Sequence, residues 1–176
     1  RSPAAFCGCI GYKPSFGTLP RIGVKAITES FDTVGVFTRS AQDAAYVTQA
    51  LAGREDLSVD AANFAPKIGV CLTAQWSAAQ PETQALFDRL PAQLERAGAQ
   101  ARAVKLPAAF DGLNAAQDTI WQYEMARCLA DEHRRFADQL APRLRGQLEA
   151  GWATSHAQYA AAVDQARVGR AQFAQA

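Results

Sequence analysis

The sequence predicts an α/β protein, and three observations carry that prediction. A strand, a helix and a second strand follow one another over residues 67–106, nothing after residue 114 resembles strand, and the first third is cut every few residues by glycine or proline. Strand, helix and strand in that order form parallel sheet. The expected architecture is part of a mixed β-sheet with covering helices, followed by a mainly helical C-terminal half.

At the start, Gly8, Gly11, Pro14, Gly17, Pro20 and Gly23 forbid a long helix, and short strands fit residues 10–13 and 35–39. Ser40 then offers a helix cap, Asp43 falls in the first turn, Ala44, Val47 and Leu51 make a stripe, and Gly53 ends the helix. Residues 54–66 are polar, aperiodic and closed by Pro66, which reads as a surface connection. "KIGVCLT" begins a buried strand. Pro81 and Gly98 bound a helix over 81–97, and "ARAVKLP" supplies the next strand. Pro91 has no backbone N–H, so it is expected to kink that helix or divide it in two.

Beyond Pro107 the pattern is helical. Ile120, Tyr123, Glu124, Arg127, Cys128 and Asp131 take spacings of three and four on one long helix. Pro142 opens a shorter helix that Gly151 ends, and a last helix from Thr154 or Ser155 turns Tyr159, Val163, Ala166 and Val168 inward. The chain therefore divides into motif-bearing loops, strands and a helix over 1–53, a strand, helix and strand over 67–106, and a helical segment over 107–176.

A length of 176 residues suits one domain with a real core. Eighteen Lys and Arg against seventeen Asp and Glu give a net charge of +1, which lacks the electrostatic footprint of a nucleic-acid binder. No apolar run is long enough to span a membrane, and the expected location is the cytoplasm. The sole Met is Met125, so Arg1 is not a translation start and the chain is expected to be processed or a piece of a longer one. Of Cys7, Cys9, Cys71 and Cys128 only the first two are close in sequence. That spacing does not suit zinc, so no metal or cofactor is expected and the four thiols are read as free and buried.

Few residues offer chemistry. His133 in "DEHRRF" and His156 in "TSHAQY" lie amid polar helix residues, which disfavours both a Ser-His-Asp triad and a thiol dyad. The carboxylates of "ADEH" read as a solvated helix face. Glu124 differs, because it lies among Trp121, Tyr123, Met125 and Cys128, and an ion pair with Arg127 or a lysine is the expected use of it. Gly8, Gly11 and Gly17 match neither dinucleotide nor phosphate-loop spacing. From the residues alone, the chain is a scaffold without a complete active site.

The opening "RSPAAFCGCIGYKPSFG", followed by "SFDTVGVFTRSAQDAA", resembles the amidase signature family. There a Gly-Gly-Ser-x-Arg element runs into x-Pro-(Ala/Ser)-x-(Phe/Tyr)-Cys-Gly and then Gly-(Phe/Tyr/Leu)-Lys-Pro. Arg1, Pro3, Ala4, Phe6, Cys7, Gly8, Gly11, Tyr12, Lys13, Pro14 and Gly17 fall on that pattern, and Ser30, Asp32, Gly35, Arg39, Ser40 and Asp43 continue it more loosely. The resemblance is specific in the first 43 residues and general after residue 54.

The resemblance implies hydrolysis of a carbon–nitrogen amide bond by a Ser, cis-Ser, Lys triad, with backbone N–H groups before the nucleophile holding the oxyanion. It implies no catalytic residue within this chain, because the nucleophile would stand two residues before Arg1 and the other two members farther upstream. The expectation is an internal fragment, inactive alone, whose partners are the rest of the amidase chain and a small amide. A homodimer is compatible with this. The substrate-binding candidates are Arg1, which lies just behind the nucleophile and is either a contact to acidic substrates or structural, and Trp121, Tyr123 and Glu124 on a helix bordering the pocket mouth. Asp32 is expected to order its own loop. Alternatives are a non-catalytic structural or binding module and a fragment of an amidotransferase A-type subunit. The latter is disfavoured because those relatives keep an Asn- and Arg-rich motif where this chain has "EMARCLADEH".

Overall fold

The computed structural model describes residues 2–57, 59 and 65–174. Two compact units emerge, one of Arg1–Ala61 with Trp121–Ala153 and one of Ala62–Ile120 with Thr154–Ala176.

In the first unit the chain begins with a short helix, α1 (Ser2–Cys7), where the glycine and proline pattern suggested only loop. Gly8 ends it at φ 63, and nothing lies within 4 Å of where its Cβ would be. The residue is needed for its left-handed backbone and not for close packing. Strand β1 (Ile10–Tyr12) pairs antiparallel with β2 (Val36–Thr38), Gly11 opposite Phe37. Helix α2 (Ala41–Ala52) follows the sequence signals: the Ser40 hydroxyl accepts from the Asp43 N–H at 3.0 Å, and Gly53 takes the left-handed cap at φ 62.

The second unit holds β3 (Lys67–Val70), α3 (Pro81–Arg96) and β4 (Gln100–Ala103), with β3 and β4 parallel, Lys67 opposite Gln100. β3 alternates between exposed and half-buried residues and is not the buried strand expected, because the described residues give it one paired neighbour. α3 passes through Pro91 without division. A missing ring-nitrogen donor removes one ladder bond but does not end a helix held on either side.

The later regular elements among the described residues are helical: α4 (Leu113–Cys128), α5 (Ala130–Phe136), α6 (Pro142–Ala153) and α7 (His156–Phe173). The single long helix expected through residue 131 breaks at Leu129, which leaves helical geometry at φ −106 and ψ 23. Its side chain packs on the cluster of Met125, Ala126 and Leu148. Gly151 does not end α6 but lies inside it, buried. A Cβ there would strike the Gln122 carbonyl oxygen and stand 2.8 Å from the Ala126 Cβ, so α4 and α6 touch through a missing side chain. On α7, capped by Ser155 and Gln158 in a reciprocal box, Ala162 and Gly169 are buried, whereas Val168, expected inside, is exposed. The thiols are free but none is buried: Cys7 is exposed and Cys9, Cys71 and Cys128 are half-buried.

Candidate functional site

Of the residues singled out in the sequence, Ser30, Asp32, Gly35 and Glu124 meet in the first unit, around the turn that precedes β2. Asp32 builds this turn. Its carboxylate accepts from the N–H of Ile27 at 2.6 Å and of Thr28 at 3.0 Å, while the Thr28 carbonyl accepts from the N–H of Phe31 and Asp32. Four bonds within six residues make the turn stiff, and Asp32 orders its own loop as expected.

A carboxylate from α4 grips the same turn. Glu124 is only 8% exposed and takes the Ser30 N–H at 2.8 Å on one oxygen and the Ser30 hydroxyl at 2.5 Å on the other. Hydrogen bonds to a charged group contribute about 1.5–3 kcal/mol each, and a carboxylate buried without such donors would be destabilising. Arg127, the expected partner, is engaged with other groups. Arg127 turns to another side of α4, its guanidinium 3.2 Å from the Tyr123 ring centre and 5.2 Å from that of Trp152, and donates to the carbonyls of Tyr123 and Gly151. Three-residue spacing puts Glu124 and Arg127 about 60° apart on a helix, enough to send one into the loop and the other along the seam with α6.

Two further ties surround the turn. Lys25 pairs with Glu132 on α5, and Arg21 pairs with Glu29 at 2.9 Å. The Lys25 ammonium holds the Glu132 carboxyl below its usual range, mainly through the hydrogen bond. One turn beyond Glu124, burial raises the Cys128 thiol above its ordinary value, with Glu29, Glu124 and Asp32 adding to the rise. Leading out of the turn, Gly35 lets β2 approach β1: a Cβ there would lie 2.7 Å from the Tyr12 carbonyl oxygen. Ser30, Asp32 and Gly35 thus each have a separate task, as latch, turn and close contact.

Of the candidates for substrate contact, Arg1 lies outside the described residues. Trp121, Tyr123 and Glu124 share α4 but do not converge. At about 100° per residue, Trp121 and Tyr123 leave nearly opposite sides of the helix, and Trp121 packs on the Met125, Ala126 and Leu148 cluster. A groove of about 390 Å³ between β1 and α2 is apolar apart from Tyr12, Thr48 and Asp56; the Thr48 hydroxyl donates to the Ala44 carbonyl at 2.6 Å, and Asp56 pairs with Arg54. No group of three or more His, Cys, Asp or Glu suited to a metal occurs among the described residues, and none of their helices is long and apolar enough to cross a membrane. The Ser30–Glu124 contact escaped the sequence because it joins residues 94 apart. Its one signal was a glutamate on an apolar helix flank.

Residues 1–167 match the family described as Amidase. The chain belongs to the amidase family. Among its relatives, the A-type subunit of glutamyl-tRNA(Gln) amidotransferase from Moorella thermoacetica is 34% identical over 121 residues, covering 61% of this chain and 25% of the relative. Its counterpart from Campylobacter lari is 45% identical over 65 residues, 37% of this chain and 14% of the relative. An amidase crystal structure superposes with a TM-score of 0.87 at 29% identity, covering 98% of this chain and 39% of that one. The native peptide amidase of Stenotrophomonas maltophilia, TM-score 0.61 and 23% identical over 88% of this chain and 39% of its own, shares the fold. The chain thus spans a quarter or less of these curated relatives and about two fifths of these solved amidases. The mixed α/β fold with its helical second half is that of the amidase family.

Proposed function

We propose that the parent enzyme hydrolyses a carbon–nitrogen amide bond by the Ser, cis-Ser, Lys route, and that residues 1–176 supply the walls of the site without its nucleophile. The observation that carries this reading is the ordered run of motif residues from Arg1 to Gly17 inside a family match over 1–167. In this mechanism the Lys polarises the middle Ser, which takes the proton of the nucleophilic Ser, and backbone N–H groups hold the oxyanion. Loss of one oxyanion donor alone costs about 2.7–4 kcal/mol, so the 176 residues on their own should turn over no amide. Neither metal nor cofactor enters.

Arg1 would stand directly behind the nucleophile, where its charge favours an acidic substrate group. Trp121 and Tyr123 would border the pocket from α4. Because they leave opposite sides of it, only one of them can face a given substrate. Small amides, acylated amines and amino-acid amides all suit this chemistry. The test is release of ammonia or amine by the full-length protein from a panel of such amides, with a fluorophosphonate adduct mapped by mass spectrometry. An adduct on a Ser two residues before Arg1 supports the reading, and a protein that releases nothing and takes no adduct refutes it.

A second reading rests on the curated relatives, which are A-type subunits of amidotransferases. It ranks lower because "EMARCLADEH" replaces the Asn- and Arg-rich motif of those proteins. Ammonia transfer from glutamine that occurs only with partner subunits would favour it over free amide hydrolysis.

A further inference from the structure

We propose that Glu124 is a positioning residue of the amide-hydrolysing centre: its buried carboxylate latches Ser30 and so places the turn from which β2, and through it β1 of the opening motif, takes its position. The proposal rests on the amidase reading above and adds a residue that acts through others.

The geometry forms one continuous path. Glu124 holds Ser30 by both its N–H and its hydroxyl. Ser30 sits inside the turn that Asp32 makes stiff through the N–H groups of Ile27 and Thr28, so a pull on Ser30 moves the turn as a body. Three residues past Asp32, Gly35 lies too close to the Tyr12 carbonyl for any side chain, so a shift of the turn reaches β1 directly. The β1–β2 register, Tyr12 opposite Val36 and Ile10 opposite Thr38, carries it toward Gly8 and α1. Lys25 and Glu132 tie the stretch ahead of the turn to α5 but leave Ser30 itself to Glu124. Reacting groups displaced by about 1 Å can lose on the order of 100-fold in rate, so a latch at this distance has leverage on kcat.

Cys128 provides a native reporter. Burial first, and then the charges of Glu29, Glu124 and Asp32, raise its half-buried thiol above the ordinary value, while a backbone hydrogen bond at Glu29 of the turn works the other way. When the turn leaves α4, the thiol gains water and loses two of its three acidic neighbours.

The experiment uses the full-length protein and its Glu124→Ala, Glu124→Gln and Ser30→Ala variants. Each is read by kcat and KM on an amide that the wild type hydrolyses, and by the rate of Cys128 alkylation with iodoacetamide, resolved from Cys7, Cys9 and Cys71 by peptide mass spectrometry. Glu124→Ala should lower kcat about 100-fold with KM within about threefold, and raise Cys128 alkylation about tenfold. Glu124→Gln can offer its carbonyl to the Ser30 N–H and its amide to the hydroxyl, and should recover most of kcat and the slow alkylation. Ser30→Ala, which keeps one of the two bonds, should fall between and decides the matter if Glu124→Ala does not fold. A rise in KM alone would overturn the proposal by making Glu124 a substrate contact, as would a glutamine variant as impaired as the alanine one. Should the wild type hydrolyse no amide, the alkylation rates still decide: unchanged labelling in Glu124→Ala refutes the latch.

Discussion

Replacing Gly151 by Ala and, in the same helix, Gly146 by Ala should change stability in opposite directions. At 146 nothing lies within 4 Å of the new Cβ, so the substitution removes backbone freedom from the unfolded chain and stabilises by about 1 kcal/mol. At 151 the same methyl enters the seam between α6 and α4, 2.7 Å from the Gln122 carbonyl carbon and 2.8 Å from the Ala126 Cβ. Carbon atoms in contact prefer about 3.5–4.0 Å, so the helices must part by about 1 Å. Ala126 and Leu148 beside the seam are 0% exposed, and a gap of that size forfeits about a quarter to a half of each contact across it. Overpacking of this kind costs about 1–3 kcal/mol, and the upper figure applies because a backbone carbonyl cannot swing aside. Set against the helical preference of Ala, the net loss is about 2 kcal/mol, a factor of about 30 in the folded-to-unfolded ratio. Urea unfolding followed by tryptophan fluorescence measures both variants, with Trp121 and Trp152 in this unit as probes. A Gly151→Ala protein as stable as Gly146→Ala would refute the argument that the glycine is there for contact.

Leu148→Ala empties the centre of the Met125 and Ala126 cluster and should cost about 3 kcal/mol in the same assay, with the loss concentrated in hydrogen-exchange protection of α4 and α6. Ser155→Ala removes the side chain that accepts from the Gln158 N–H and should cost about 1 kcal/mol, seen as faster amide exchange in the first turn of α7. The Asp131 and Glu132 carboxyls are held below their ordinary range, chiefly by hydrogen bonds from Arg134 and Lys25 respectively. Depressed carboxylates contribute stability above the unfolded value near pH 4 that is lost as pH falls through the folded value. Unfolding midpoints should therefore drop on acidification below about pH 4, and Lys25→Met should flatten that slope. An unchanged slope in Lys25→Met would show that the contact with Glu132 contributes nothing.

Much of the fold was legible because the signals are short-range. Ser40 and Gly53 bound α2, and Ser155 starts α7, because a cap is a bond between residues three or four apart. The parallel pair of β3 and β4 followed from strand, helix and strand in sequence, since that order leaves few other connections. The opening motif pointed to the amidase family, whose match then covered residues 1–167. Errors fell where a neighbour distant in sequence decides. Gly151 looks like a helix terminator until Gln122 and Ala126 are seen against it. Leu129 carries no glycine or proline signal, yet it breaks the helix where its side chain meets the core cluster.

Glu124 and Ser30 mark where local reading ends. The residues alone established that a glutamate lies on an apolar helix flank, because composition and spacing within a few residues carry that information, and the resemblance to the amidase signature family added that Ser30 and Asp32 belong to a motif whose aspartate orders its own loop. That these two places meet, with one carboxylate holding a backbone N–H and a hydroxyl 94 residues away, came from folding. A buried charge needs donors, but which donors reach it depends on the path of the whole chain.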